Sequence, residues 1–181
     1  MKFIGKLVEN RVIIWDKKSF KLYEEKGFGK LMPEKKPNRL ELDLIEAAYL
    51  LEKGILNIKK EKKRIKLKEF LEYCSKKVIN FHPQFLVYRD LREKGYLVKT
   101  GFKFGAHFRV YEKGVKLRKG PKAPFEHTKW VVHCVSEESA FSLPEMARAV
   151  RLAHSIRATF IWAVVDKENN ITYYKIQRII P

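Results

Sequence analysis

The stretch Ser142–Asp166, SLPEMARAVRLAHSIRATFIWAVVD, decides the fold, because a helical period runs directly into a strand period within it. Ser142 with Glu145 three residues on forms a capping pair, and Pro144 falls in the first turn, where a missing N–H costs nothing. Met146, Ala149, Val150, Leu152 and Ala153 supply an apolar stripe at helical spacing. Arg148, Arg151, His154 and Arg157 recur every third residue and bring positive charge toward one side. From Thr159 to Val165 the chain is β-branched, aromatic or small and carries no charge, which predicts a strand covered on both faces. A basic helix leading into a buried strand is therefore the expected centre of the molecule.

Downstream, the turn residues DKENN precede a further strand, ITYYKIQRII. Upstream, YLVKTG, KFGAHFRVY and TKWVVHCV read as strands separated by Gly101, Gly105, Gly114, Gly120 and Pro121, and a helix from His82-Pro83 turns Phe85, Leu86, Tyr88 and Leu91 inward before Gly95. These elements predict a mixed sheet with helices on its faces, placed in a C-terminal domain of residues 81–181. The N-terminal residues, 1–80, predict a second α/β domain. Residues 1–30 alternate as short strands of a small antiparallel sheet. Asn38 with Glu41 offers a capping pair for a helix through Leu40, Leu44, Ile45, Ala48 and Leu51 that stops at Gly54. The basic run NIKKEKKRIKLKEFLEYCSKK turns helical from about Lys66, and its charges suit either a solvated face or a phosphate backbone. The fold class is α/β in the α+β sense.

Hydrophobic residues make up 45% of the 181 residues and aromatics 13%, enough for a sizeable core without covalent staples. Thirty-nine Lys and Arg against 21 Asp and Glu leave a formal charge of +18, which favours a polyanionic partner such as nucleic acid and also suits a thermophile protein. Cys74 and Cys134 lack C-x-x-C spacing, so neither a disulfide framework nor a zinc site is indicated. No apolar run is long enough for a membrane span and no signal-peptide layout opens the chain, so a soluble, cytoplasmic protein is expected. No acidic cluster offers a cage for a hard cation, and no cofactor is expected.

Of the five histidines, His82 before a proline and His133 within an alternating strand read as packing or capping groups. His127 differs. It follows the basic loop KLRKGPKAPFE at the start of a strand, a common place for a reactive group, and Tyr111 closes the strand FRVY in a comparable position.

The order KFGAHFRVYEKG, a basic loop ending in His127, then VRLAHSIR and a buried strand ending in VVD resembles the catalytic half of the archaeal tRNA-splicing endonucleases. The resemblance implies metal-independent cutting of precursor tRNA at the bulge-helix-bulge structure around an intron, leaving a 2′,3′-cyclic phosphate and a 5′-hydroxyl. It implies a catalytic Tyr, His and Lys. Tyr111 and His127 match the first two, and the position of the lysine is Ala158. Attack by a 2′-hydroxyl needs a base, an acid for the leaving oxygen and a cation for the phosphate charge, so the missing lysine should cost about 10²- to 10³-fold in rate. Two accounts fit: a deliberate substitution in an active enzyme, which the intact Tyr111 and His127 favour, or a natural non-catalytic subunit working with an active partner.

The resemblance further implies an arginine clamp on a bulge base. Arg151 matches one arm, the second being Arg178 or Lys175, and Arg157 is a further RNA-binding candidate. Pairing of the last strand across a two-fold axis, through Tyr174 and Ile176, would cover its exposed edge. Asp166 and Glu168, or in their place Glu137 and Glu138, are candidates for an acidic loop that joins dimers. A homotetramer built as a dimer of dimers is expected, with a heteromer as the alternative and no membrane partner. The competing class is a nucleic-acid-binding protein without catalysis, gripping phosphates with little preference for bulged RNA.

Overall fold

Burial alternates residue by residue along Phe3–Val8 (β1), and this period-2 pattern sets the first sheet of the computed structural model, which describes residues 2–101, 105–116, 123 and 126–179. The chain divides into two compact units, Met1–Phe81 and His82–Pro181. In the first, β1 is followed by Arg11–Ile14 (β2), a 3₁₀ turn at Lys17–Ser19, Phe20–Glu24 (α1), Lys30–Met32 (β3), Arg39–Asp43 (β4), Leu44–Glu52 (α2), Leu56–Lys60 (β5), Lys63–Ile65 (β6) and Leu67–Lys77 (α3). The strands form one six-stranded sheet in the order β3-β4-β2-β1-β5-β6, in which β1 and β5 run parallel and the other neighbours antiparallel.

Two local expectations change. Residues 1–30 are not all strand, because Asp16 accepts from the Lys18 amide and starts the turn that leads into α1. Helix α2 does not begin at Asn38 with Glu41. Leu40 and Leu42 are both fully buried as alternate residues of β4, and this sheet pairing defeats a helix there. The working capping box is Asp43 with Glu46, and the buried Glu46 carboxylate also accepts from the Gly29 amide at 2.9 Å. Gly29 has φ +67°, and a Cβ there would lie 2.5 Å from the Glu41 carbonyl, so only glycine fits.

The second unit runs Phe81–Glu93 (α4), Leu97–Thr100 (β7), Phe108–Tyr111 (β8), Trp130–Ser136 (β9), Leu143–Ser155 (α5), Thr159–Val165 (β10) and Ile171–Ile176 (β11). Its sheet has the order β11-β10-β9-β8-β7, with β9 and β10 parallel and joined through α5. The Ser142–Glu145 capping box forms as the spacing predicts. Ala153 of α5 packs on Val131, Val135, Phe160 and Trp162, so the apolar stripe and one face of the buried strand make a single core. Among the described residues β11 pairs only with β10, leaving an edge on which Tyr174 is 54% exposed. The Tyr173 hydroxyl points to the other face and donates to Asp90 of α4 at 2.6 Å. No helix among the described residues is long and apolar enough to cross a membrane.

Candidate active site

Strand register places the three predicted catalytic positions at one end of the second sheet. Val110 lies opposite Trp130, and Trp130 opposite Thr159. One residue further, the Lys129 amide donates to the Val110 carbonyl at 2.8 Å and the Lys129 carbonyl accepts from Thr159 at 3.1 Å. Tyr111 and Ala158 therefore flank the start of β9 from opposite sides, and His127 stands two residues before that point. His127 is exposed and follows a turn held by Glu126, whose buried carboxylate accepts from the Ala123 amide at 2.7 Å. Tyr111 is buried against Leu97 and Val115, with the Arg109 guanidinium 6.0 Å from its ring centre.

Ala158 terminates a helix cap. Its amide reaches back to the Ala153 carbonyl at 2.9 Å and the Arg157 amide to His154 at 3.0 Å, the paired bonds of a Schellman motif. Arg157 consequently has φ 57°, in the left-handed region that glycine usually fills at this position. With this backbone Arg157 and Ala158 do not alternate as neighbours on a strand do. Ala158 is half-buried and packs on the core beneath α5.

Lys129 is not a spare cation. Its Nζ lies 2.6 Å from a Glu112 carboxylate oxygen and 4.6 Å from the centre of the Trp130 ring. The hydrogen bond from Lys129 is the main cause of the lowered Glu112 carboxyl pKa.

Of the predicted RNA-binding residues, Arg151 on α5 and Arg178 beyond β11 line one cavity of about 580 Å³, together with Leu143, Met146, Val150 and Ile176. Lys175 alternates with Tyr174 and Ile176 along β11 and lies opposite Ile161. It therefore belongs to the face that Tyr173 turns toward α4, away from Arg151. The turn acids are largely occupied. Asp166 accepts from the backbone amides of Asn170 and Glu168, and the Asn170 amide above all holds its carboxyl below the usual range. Glu137 accepts from the Lys167 amide at 3.0 Å, and Glu138 pairs with the Lys167 side chain at 2.9 Å. Glu168 makes only a 3.5 Å contact with Asn170.

Sequence reasoning missed a histidine pair. The rings of His107 and His133 stack at 4.4 Å, and His107 Nδ1 accepts from the Cys134 amide at 2.8 Å. Burial, then the neighbouring His133, pushes His107 down to about 4. Both rings are neutral structural groups, and the only signal for them was the alternation of AHFRVY and WVVHCV. His82 bonds to Asn169 at 2.6 Å.

Sequence comparison assigns the class. Residues 81–173 match the family described as tRNA intron endonuclease, catalytic C-terminal domain, and residues 3–71 match tRNA intron endonuclease, N-terminal domain. The chain belongs to the tRNA intron endonuclease family, a class of endoribonucleases. Among individual relatives, it is 39% identical to the tRNA-splicing endonuclease of Pyrococcus abyssi (strain GE5 / Orsay) over 158 residues, 87% of this chain and 85% of that protein. It is also 39% identical to the tRNA-splicing endonuclease of Thermococcus kodakarensis, over 86% of this chain and 85% of that one. The Methanosarcina acetivorans tRNA-splicing endonuclease is 40% identical over 95% of this chain, which spans 47% of that longer protein.

Proposed function

We propose that the chain binds precursor tRNA at bulge-helix-bulge junctions through residues 81–181 and carries a cleavage site that lacks its cation. In this reading Tyr111, as its phenolate, takes the proton from the 2′-hydroxyl, whose oxygen bonds to the adjacent phosphorus as the bond to the 5′-oxygen breaks. His127 gives a proton to the departing 5′-oxygen, and the products are a 2′,3′-cyclic phosphate and a 5′-hydroxyl. No metal enters these steps. The carrying observation is the register that sets Tyr111 and Ala158 on either side of the β9 start, with His127 just before it. Glu112 holds Lys129 at 2.6 Å, so that lysine is already paired. The chain as it stands therefore binds its RNA and cuts it slowly.

Arg151 and Arg178 form the clamp on the bulge base. Pairing of β11 edges through Tyr174 and Ile176 builds a dimer, and two dimers join through the turn that carries Asp166 and Glu168. The protein acts in the cytoplasm. The test is cleavage of a minimal bulge-helix-bulge RNA by Ala158→Lys in EDTA. Product with a cyclic phosphate end is expected, and RNA left intact by the variant both alone and with a partner subunit overturns the assignment of Ala158.

Ala158 lies half-buried against the core, and in a second reading the chain is the non-catalytic subunit of a heteromeric enzyme. Cleavage by Ala158→Lys only after an active subunit is added would favour it.

A further inference from the structure

The basic run 59–77 of the N-terminal unit lies outside the proposed site. Strands β5 and β6 form a hairpin turned at Glu61 and Lys62, with Glu61 at φ 54°. Its register sets Lys59 opposite Arg64 and Lys60 opposite Lys63. Like charges directly across an antiparallel pair are destabilising, so the fold carries two unfavourable pairs that its own packing does not require. All of these side chains are exposed, and among the described residues none of Lys59, Lys60, Lys62 and Lys63 forms an ion pair. Elsewhere in the same unit Arg11, Lys30 and Arg39 each have a glutamate partner.

Helix α3 extends the patch. The Lys60 ammonium lies 5.5 Å from the centre of the Tyr73 ring, and that of Lys77 lies 6.0 Å from it, so hairpin and helix charges gather around one tyrosine. The Tyr73 hydroxyl donates to the Glu9 carbonyl at 2.7 Å, which anchors the ring across 64 residues of sequence. β6 is also the edge of its sheet, where lysines discourage strand addition. Edge protection does not call for opposed like charges on the inner neighbour β5, nor for lysine on α3.

We infer that the β5–β6 hairpin and the C-terminal end of α3 form a phosphate-gripping surface for the double-helical parts of the RNA, separate from the bulge-reading residues. This rests on the reading that the chain binds RNA. The surface reads backbone charge only, so it holds plain and bulged helices alike and adds to affinity through counterion release.

The test uses the full chain with Lys60→Thr and Lys63→Thr combined, Thr being a good strand former, and separately Lys77→Gln. Binding of a plain RNA duplex and of a bulged RNA is followed by fluorescence anisotropy over a salt series. The slope of log K against log salt should become shallower by about 2 for the double variant and about 1 for Lys77→Gln, equally for both RNAs. The double variant should also melt a few degrees higher without RNA, because the opposed charges are gone. Unchanged slopes overturn the inference, as does self-association of the double variant with unchanged RNA binding, which assigns the lysines to edge protection. An Arg151→Ala control separates the two readings: if it loses preference for bulged RNA while the lysine variants keep the parent slope, the hairpin surface fails and the proposed function stands. If the parent chain binds neither RNA, both fail.

Discussion

Arg151 and Arg178 lie 27 positions apart in the chain, on α5 and beyond β11, and line the same cavity. In the proposed clamp the two arginines act together on one bulge base. Arg151→Ala and Arg178→Ala should each weaken binding of bulged RNA by about 1–3 kcal/mol, the range for lost base stacking. The double variant should lose less than the sum, with a coupling above about 0.5 kcal/mol. Lys175→Ala, on the opposite face, should have little effect on the preference for bulges. A double-mutant cycle read by equilibrium binding checks all three.

Restoring a lysine at position 158 should raise the rate of cleavage about 10²- to 10³-fold over the parent chain. A lysine stem can pack along the apolar surface that Ala158 touches while its ammonium reaches solvent. Single-turnover cleavage measures the chemical step. A rise that Tyr111→Phe or His127→Ala abolishes would tie the gain to the proposed site.

Arg157 occupies a left-handed cap position at φ 57°. A non-glycine residue there costs about 1–2 kcal/mol, part of which glycine returns through its greater freedom in the unfolded chain. Arg157→Gly should therefore stabilise the protein by about 0.5–1 kcal/mol and raise its Tm in a thermal melt. If Arg157 also contacts RNA, the same variant should bind more weakly in spite of being more stable.

His107 links stability to pH. Its folded pKa is about 4, below the ordinary value of 6.5, because the ring is buried beside His133 and accepts from the Cys134 amide. The unfolded chain binds the proton more readily, so this contribution is intact above pH 6.5 and is lost as pH falls toward 4. The expected loss is on the order of 2–3 kcal/mol. His107→Asn retains an acceptor near Nδ1 and removes the titration, so urea melts of the variant should show a flatter acid limb.

Much of the second unit was legible from short-range chemistry. The capping box at Ser142 and Glu145, the apolar stripe through Ala153 and the uncharged run from Thr159 all act within a turn or two, and their neighbours in sequence are their neighbours in space. The same reasoning failed at Asn38 and Glu41. Capping pairs are common enough in sequence to be ambiguous, and there the pairing of β4 with β2, separated by more than twenty residues, outweighed the local option.

At the site, the resemblance of KFGAHFRVYEKG and VRLAHSIR to the family's motifs singled out Tyr111, His127, Ala158 and Arg151, without any knowledge of their positions in space. That Lys175 lies on the face away from Arg151 needed the alternation of β11 about a fixed register, since side chains one residue apart on a strand face opposite ways. The engagement of Lys129 by Glu112 was equally invisible, because those residues come together only when β8 and β9 pair.

The sequence by itself determined the charge excess, which is a count, and the local periods and most of the caps, which depend on side chains a few bonds apart. Only the tertiary structure decided that Glu112 holds Lys129 and that Arg151 and Arg178 line one cavity. Both depend on contacts between distant segments, and those contacts acquire a definite geometry only once the sheet is assembled.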